Sequence, residues 1–128
     1  MLAVTQGLAA TAAGLHAVFF LFESVLFRRP KIQERFRVAP SVAEAVRPWA
    51  FNQGFYNLFL ALGCFAGLLA VHGAIPGIDA SAARALVLFP CACMVGAGVV
   101  LALTDRRMVR AAAAQAIPPL VAICLDLM

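Results

Sequence analysis

Two ionisable side chains, His16 and Glu23, lie in an apolar stretch near the start of the sequence. They are seven residues apart, so on an α-helix they differ by only about 20° around the axis and share one face. Phe20 and Phe27 fall on the same face. Because an imidazole and a carboxyl can serve as acid and base on a substrate, we predict His16 and Glu23 as catalytic candidates and Phe20 as a ligand contact.

A second polar group opens the next apolar stretch, at Asn52, Gln53, Tyr56 and Asn57. Asn52 and Tyr56 are one helical turn apart, as are Gln53 and Asn57, so the four cover an arc of about 140°. If the two stretches are antiparallel helices, Glu23 lies at a similar depth to this group. We therefore predict a polar cavity bounded by the two ionisable residues and by these four ligand-binding side chains.

The elements that would hold these residues are membrane-spanning helices. Hydrophobic residues make up 64% of the 128 residues and charged residues 12%, whereas soluble chains are about 45–50% apolar and about 25% charged. The apolar surplus must face lipid, and the charges cluster between four stretches that are long enough to cross a bilayer. The sequence predicts an all-α integral membrane protein, a four-transmembrane-helix bundle that forms one domain over residues 1–128. The predicted helices cover residues 2–27, 49–75, 85–104 and 111–128, with a loop at 28–48.

The basic residues indicate the orientation of these helices. Nine of the ten lie in the first and third loops, and the second loop has only Arg84. Because loops rich in Lys and Arg stay in the cytoplasm, we predict a cytoplasmic loop at 28–48 and both termini on the non-cytoplasmic side. The predicted location is the cell membrane, as a multi-pass protein of the bacterial inner membrane, with membrane lipid as a partner. Topology accounts for the net charge of +4, so we predict no nucleic-acid partner.

The first loop has signals of local order. Ser41 followed by Glu44 matches a capping box and predicts a short helix that ends at Val46. Residues 32–38 alternate basic and apolar side chains, which suits a segment on the membrane surface, although a simple solvated loop also fits.

Small residues predict where helices approach each other. Gly63 and Gly67 form a small-xxx-small motif, and Ala92 and Gly96 repeat its spacing. Pro90 should kink its helix or mark a shorter one, and the Pro118–Pro119 pair should distort the fourth helix.

The four cysteines predict packing rather than chemistry. All fall inside predicted spans, at Cys64, Cys91, Cys93 and Cys124. Cys91 and Cys93 would point about 160° apart on a helix instead of converging on one ion. We predict no metal site and no cofactor.

The first half of the chain resembles a family of small four-helix bacterial membrane proteins, catalogued as domain of unknown function 1304. The family's His, a Glu seven residues later, a Phe and a basic loop containing Phe are similar to His16, Glu23, Phe27 and Phe36. Its Asn-Gln-Gly-x-Tyr-Asn motif stands at residues 52–57. The chain departs from the family at 27–30, where Phe-Arg-Arg-Pro replaces a Trp-Thr-x-Pro run. The resemblance implies a fold and a topology, and it implies no activity.

Three classes of function remain open on the sequence. The first is an intramembrane polar cavity, facing the cytoplasmic side, that binds or transforms a small lipophilic molecule, with Glu23 and His16 as acid and base. The second is a small proton-coupled transporter, although the one-sided charge argues against insertion in both orientations. The third is a structural bundle whose polar residues only hold helices together. The sequence leaves open whether any reaction is catalysed and whether the chain forms a homo-oligomer.

Overall fold

The computed structural model describes residues 1–128 and is entirely helical. Its four long helices are long and apolar enough to cross a membrane, which confirms the prediction of an all-α fold with four such helices. They are α1 (Ala3–Phe20), which continues into a π-helical turn (Leu21–Val25), α3 (Ala43–Val71), α4 (Ala80–Thr104) and α5 (Val109–Leu127). A short helix, α2 (Pro30–Arg35), lies in the first loop, and 3₁₀ turns at Pro40–Val42 and Arg106–Met108 lead into α3 and α5.

Helix α3 begins earlier than the sequence predicted. The separate short helix and its capping box are wrong, because Ser41 lies inside the 3₁₀ turn and one helix runs on from Ala43. Pro48 lies inside α3 near its start, where the missing N–H removes a single helical hydrogen bond. Glu44 and Arg47 form an exposed ion pair one turn apart, with 3.0 Å between Oε2 and Nε, which favours the helical conformation of this segment.

The link between α3 and α4 is fixed by a C-terminal and an N-terminal cap. Gly73 adopts a positive φ of 73°. The N–H of Ala74 reaches back to the carbonyl of Leu69 at 3.0 Å, which is the wide hydrogen bond of a Schellman motif. Asp79 then caps α4, since its Oδ1 accepts from the N–H of Ala82 at 2.8 Å. Because these caps set the ends, α3 stops at Val71 and α4 includes the polar residues before position 85.

The chain forms two compact units. One is residues 16–59, which we call the polar unit. The other comprises residues 1–15 and 60–128, which we call the packing unit. The assignment of one membrane domain to the whole chain stays a prediction.

Glycine brings helices together in the packing unit. A Cβ at Gly67 would lie 2.7 Å from the backbone of Leu86 and Val87, and one at Gly63 would lie 3.4 Å from a ring carbon of Pro90. Gly67 confirms the predicted close approach, whereas Gly63 lies at an ordinary contact distance from α4. A Cβ at Gly98 would lie 2.7 Å from the Cβ of an alanine in α5, Ala116.

The second predicted packing motif is wrong. Ala92 and Gly96 are exposed, and a Cβ at Gly96 would meet nothing within 4 Å. Glycine spacing alone does not show which face of a helix meets a neighbour, and in α4 the contact falls at Gly98 instead. Helix α4 also runs through Pro90 without ending there.

Polar contacts in the packing unit join residues far apart in sequence. His72 Nε2 donates to Gln6 Oε1 at 2.8 Å, since an amide oxygen can only accept. The Arg84 guanidinium binds the Asp126 carboxylate and donates to its main-chain carbonyl at 2.7 Å. Arg84, which the sequence analysis assigned to the second loop, thus lies in α4 and pairs with the acidic residue near the C-terminus. Two of the four free cysteines, Cys64 and Cys91, are buried.

Candidate functional site

A hydrogen-bonded chain of three side chains lies in the polar unit. His16 Nδ1 is 2.7 Å from Asn57 Oδ1, and Asn57 Nδ2 is 2.7 Å from Glu23 Oε2. The Asn57 amide oxygen can only accept and its NH₂ can only donate, so His16 carries a proton on Nδ1 and Glu23 receives a hydrogen bond. One amide therefore holds both ionisable groups.

The imidazole is the most enclosed member of this chain. His16 is only 1% exposed and Asn57 7%. The ring of Phe19 meets the imidazole edge-on, with centroids 5.4 Å apart. The second ring nitrogen, Nε2, has no hydrogen-bond partner. His16 thus acts on its surroundings through Asn57, and Glu23 is the member that reaches open space.

Glu23 lies in the π-helical turn at the end of α1. The turn is closed by a hydrogen bond of 2.8 Å from the N–H of Leu26 to the carbonyl of Leu21. An extra residue per turn re-aims the side chains that follow it, which is why such turns are frequent at functional sites. The next residue, Ser24, donates from Oγ to the main-chain carbonyl of Phe51 at 2.8 Å, and this bond ties the turn to α3.

Gly54 lets α3 approach the π-helical turn. A Cβ at this position would overlap the Ser24 hydroxyl and would lie 3.1 Å from both the Ser24 nitrogen and the Glu23 Cβ. The central glycine of the Asn-Gln-Gly-x-Tyr-Asn motif is therefore the residue that admits the neighbouring turn. Sequence reasoning missed the roles of Ser24 and Gly54, although the glycine stood inside the motif it had singled out.

Two clefts in the polar unit share Glu23 and Phe27 in their walls. The larger, which we call the aromatic cleft, has a volume of about 320 Å³. The smaller, which we call the arginine cleft, has a volume of about 280 Å³. The aromatic cleft is lined by Glu23, Phe27, Phe36, Val38, Val46, Trp49, Ala50, Asn52 and Gln53. The arginine cleft is lined by Glu23, Ser24, Val25, Phe27, Arg28, Arg47 and Phe51.

The structure brings some predicted site residues together and leaves others apart. Asn52 and Gln53 line the aromatic cleft with Glu23. Phe20 packs edge-on against Phe55, with ring centroids 5.2 Å apart, and lines neither cleft. Tyr56 is 58% exposed and also lines neither.

The acidic, imidazole and thiol groups do not cluster. No group of three or more His, Cys, Asp or Glu side chains could hold a metal ion. Because His16 and Glu23 are joined through an amide, they do not converge on one point. The arrangement can present one positioned carboxyl group to a molecule in a largely apolar cleft.

These features define a class: a small all-helical protein with four long apolar helices and a hydrogen-bonded His–Asn–Glu chain. The chain belongs to the family described as "Protein of unknown function (DUF1304)", whose sequence pattern matches residues 10–127. The resemblance noted in the first half therefore extends over nearly the whole chain, and the predicted family is confirmed. Comparisons with curated proteins and with solved structures found no match.

Proposed function

We propose that this protein binds or transforms a small lipophilic molecule in the aromatic cleft, with Glu23 as the polar group that meets it. The observation that carries the proposal is the setting of this carboxyl. It accepts a hydrogen bond from Asn57 and lines a cleft whose other walls are mostly apolar and aromatic. Binding sites for small molecules commonly combine such walls with a few fixed polar groups.

In this proposal His16 is a positioning residue. Its imidazole is buried and does not line the cleft, so it orients Asn57, and Asn57 orients Glu23. Acid–base chemistry on a ligand would fall to Glu23 alone, because it is the ionisable member in contact with the cleft. This assignment refines the sequence prediction, in which His16 and Glu23 both met the ligand.

The proposed setting is a membrane crossed four times. Large apolar side chains on the long helices are exposed, among them Phe59 at 60%, Phe89 at 71% and Leu103 at 78%, and surfaces of this kind require an apolar environment. The basic residues of the first and third loops favour their placement in the cytoplasm. The aromatic cleft, which includes residues of the first loop, would then open on the cytoplasmic side of a bacterial inner membrane.

The test is retention of a lipophile by the purified protein. Native mass spectrometry in a non-ionic detergent should find a lipophilic molecule on the wild type and much less on Glu23→Gln. A hydrogen bond to a charged group is worth about 1.5–3 kcal/mol, so affinity should fall by about tenfold or more. Glu34→Gln is the matched control, because Glu34 is an exposed carboxylate of α2 that lines neither cleft.

The same variant separates binding from a purely structural role. The glutamine amide keeps the shape of Glu23 and can still bond to Asn57, so the thermal midpoint should stay near that of the wild type. A wild type that retains no lipophile would overturn the proposal. A Glu23→Gln protein that keeps its ligand but unfolds far more easily would show that Glu23 only holds helices together.

A further inference from the structure

We propose that the ligand of the aromatic cleft is a lipophilic cation, an organic ammonium with an apolar body, whose positive charge lies against Glu23. This inference rests on the proposed function and names the chemical class of its ligand. Among the residues that line the cleft, Glu23 is the only one with a charged side chain. No Lys or Arg is in its wall to balance that carboxylate, so a cation brought by the ligand would complete the ion pair.

The other walls suit the same ligand. Three aromatic side chains line the cleft, Phe27, Phe36 and Trp49. The faces of aromatic rings attract organic cations, most strongly when the cation is removed from water. The amide oxygens of Asn52 and Gln53 are neutral hydrogen-bond acceptors, so Glu23 remains the only negative charge in the cleft. A volume of about 320 Å³ matches the lower end of small-molecule pockets.

An anionic ligand is disfavoured by the arrangement around Glu23. Arg28 and Arg47 line the arginine cleft and are absent from the aromatic one. Arg47 already pairs with Glu44 at 3.0 Å. An anion in either cleft would also lie beside the Glu23 carboxylate, which lines both.

Glu23 is held in position before any ligand arrives. The Asn57 amide fixes Oε2 at 2.7 Å, and Ser24 in the same turn is tied to α3. A fixed carboxylate loses little freedom on meeting a cation, and such preorganisation favours affinity.

Three probes of similar shape test the proposal: benzyltrimethylammonium, its uncharged carbon isostere neopentylbenzene, and phenylmethanesulfonate. The chain has a single Trp, and it lines the cleft, so tryptophan fluorescence reports occupancy directly. We expect the cation to bind about tenfold or more tightly than the isostere, because only the cation gains the attraction of the Glu23 carboxylate and of the aromatic ring faces. In Glu23→Gln the cation should bind no better than the isostere, while the isostere keeps its wild-type affinity.

A second variant keeps the test valid if Glu23→Gln folds poorly. Trp49 is 77% exposed, so Trp49→Leu should fold, and it removes an aromatic face while keeping apolar surface. By calorimetry, its affinity for the cation should fall about threefold or more, with the isostere nearly unaffected. Glu34→Gln should change neither probe.

Two results would overturn the proposal and leave the lipophile pocket standing. The cation and the isostere could bind equally, which would show a pocket indifferent to charge. Alternatively, phenylmethanesulfonate could bind most tightly and lose affinity in Arg28→Gln, which would assign an anion to the arginine cleft. If the protein retains a lipophile on purification but binds none of the three probes, the proposal of a cationic ligand is overturned and the proposal of a lipophile-binding cleft stands.

Discussion

In both compact units a glycine allows close contact between helices, but the groups that the glycine contacts differ. In the packing unit, Gly67 and Gly98 meet backbone and alanine side chains of the next helix. In the polar unit, Gly54 meets the π-helical turn that carries Ser24 and Glu23. In the packing unit the glycines allow close apolar packing of helices. In the polar unit Gly54 allows the turn that carries the Ser24 hydroxyl and the Glu23 carboxyl to lie against α3.

The polar groups of the two units differ in the same way. In the packing unit, Arg84 and Asp126 neutralise each other in an ion pair. In the polar unit, Glu23 receives a hydrogen bond from a neutral amide and no ion pair from the chain. The difference is that the Asp126 charge is balanced within the protein, whereas the carboxyl group of Glu23 has only a neutral partner there, and the proposed function rests on this second arrangement.

The largest expected effect concerns the loops, because a cysteine placed in a loop either reacts with a reagent outside the cell or does not react at all. Lys31 lies in the first loop, within the polar unit, and Asp79 lies in the second loop, within the packing unit. With Cys124, an exposed native cysteine, changed to alanine, Asp79→Cys should react with a membrane-impermeant maleimide in intact cells. Lys31→Cys should react only after the cells are opened. The opposite pattern would reverse the orientation.

The next effect compares two glycines under the same change. Gly67→Ala places a Cβ 2.7 Å from the backbone of Leu86 and Val87, and overpacking of this kind costs about 1–3 kcal/mol. Gly96→Ala meets nothing within 4 Å and should gain up to about 1 kcal/mol in helix propensity. Unfolding in mixed detergent micelles measures both. Equal destabilisation of the two variants would remove Gly67 as a packing site.

The number of helices, their ends and their packing faces could be predicted from the sequence to different degrees. Long apolar runs predicted four helices, because crossing length and composition follow directly from the residues. The ends were less predictable, since Gly73 and Asp79 stop and start helices through main-chain geometry and a single side-chain hydrogen bond. The faces were least predictable, because a glycine spacing such as that of Ala92 and Gly96 does not reveal which side meets a neighbour.

The same limit applied to the candidate site. His16 and Glu23 could be placed on one face from their spacing, and Asn57 was among the predicted partners. Which of the four polar residues bonds to both could not be predicted, because Glu23 lies in a π-helical turn that no residue pattern in 21–25 indicates. Tyr56 belongs to the same motif, but it is exposed and lines neither cleft.

A smaller effect tests the glycine of the polar unit. Gly54→Ala should displace the Ser24 hydroxyl from the Phe51 carbonyl and push the π-helical turn away from α3. The serine side chain can rotate, so the cost should fall at the lower end of the overpacking range, about 1 kcal/mol. Because Glu23 lies in the same turn, ligand retention should fall as well. Loss of stability with unchanged retention would separate the turn from the site.

A loss of stability no larger than that of Gly54→Ala is expected for Asn57→Leu, which keeps the approximate volume and removes both hydrogen bonds of the His–Asn–Glu chain. In water-soluble proteins two buried groups left without partners would cost several kcal/mol. In a membrane the unfolded helices also find partners, and interhelical hydrogen bonds average about 0.6 kcal/mol each. We therefore expect a loss of about 1 kcal/mol in unfolding free energy, measured in mixed micelles. Ligand retention should fall as much as in Glu23→Gln, because the carboxylate is no longer oriented.

Thr11→Val is the control, since Thr11 is exposed and bonds only to a carbonyl one turn away in its own helix. If Asn57→Leu unfolds far more easily and still retains its ligand, the hydrogen-bonded chain serves the fold, and the contrast between the two units fails.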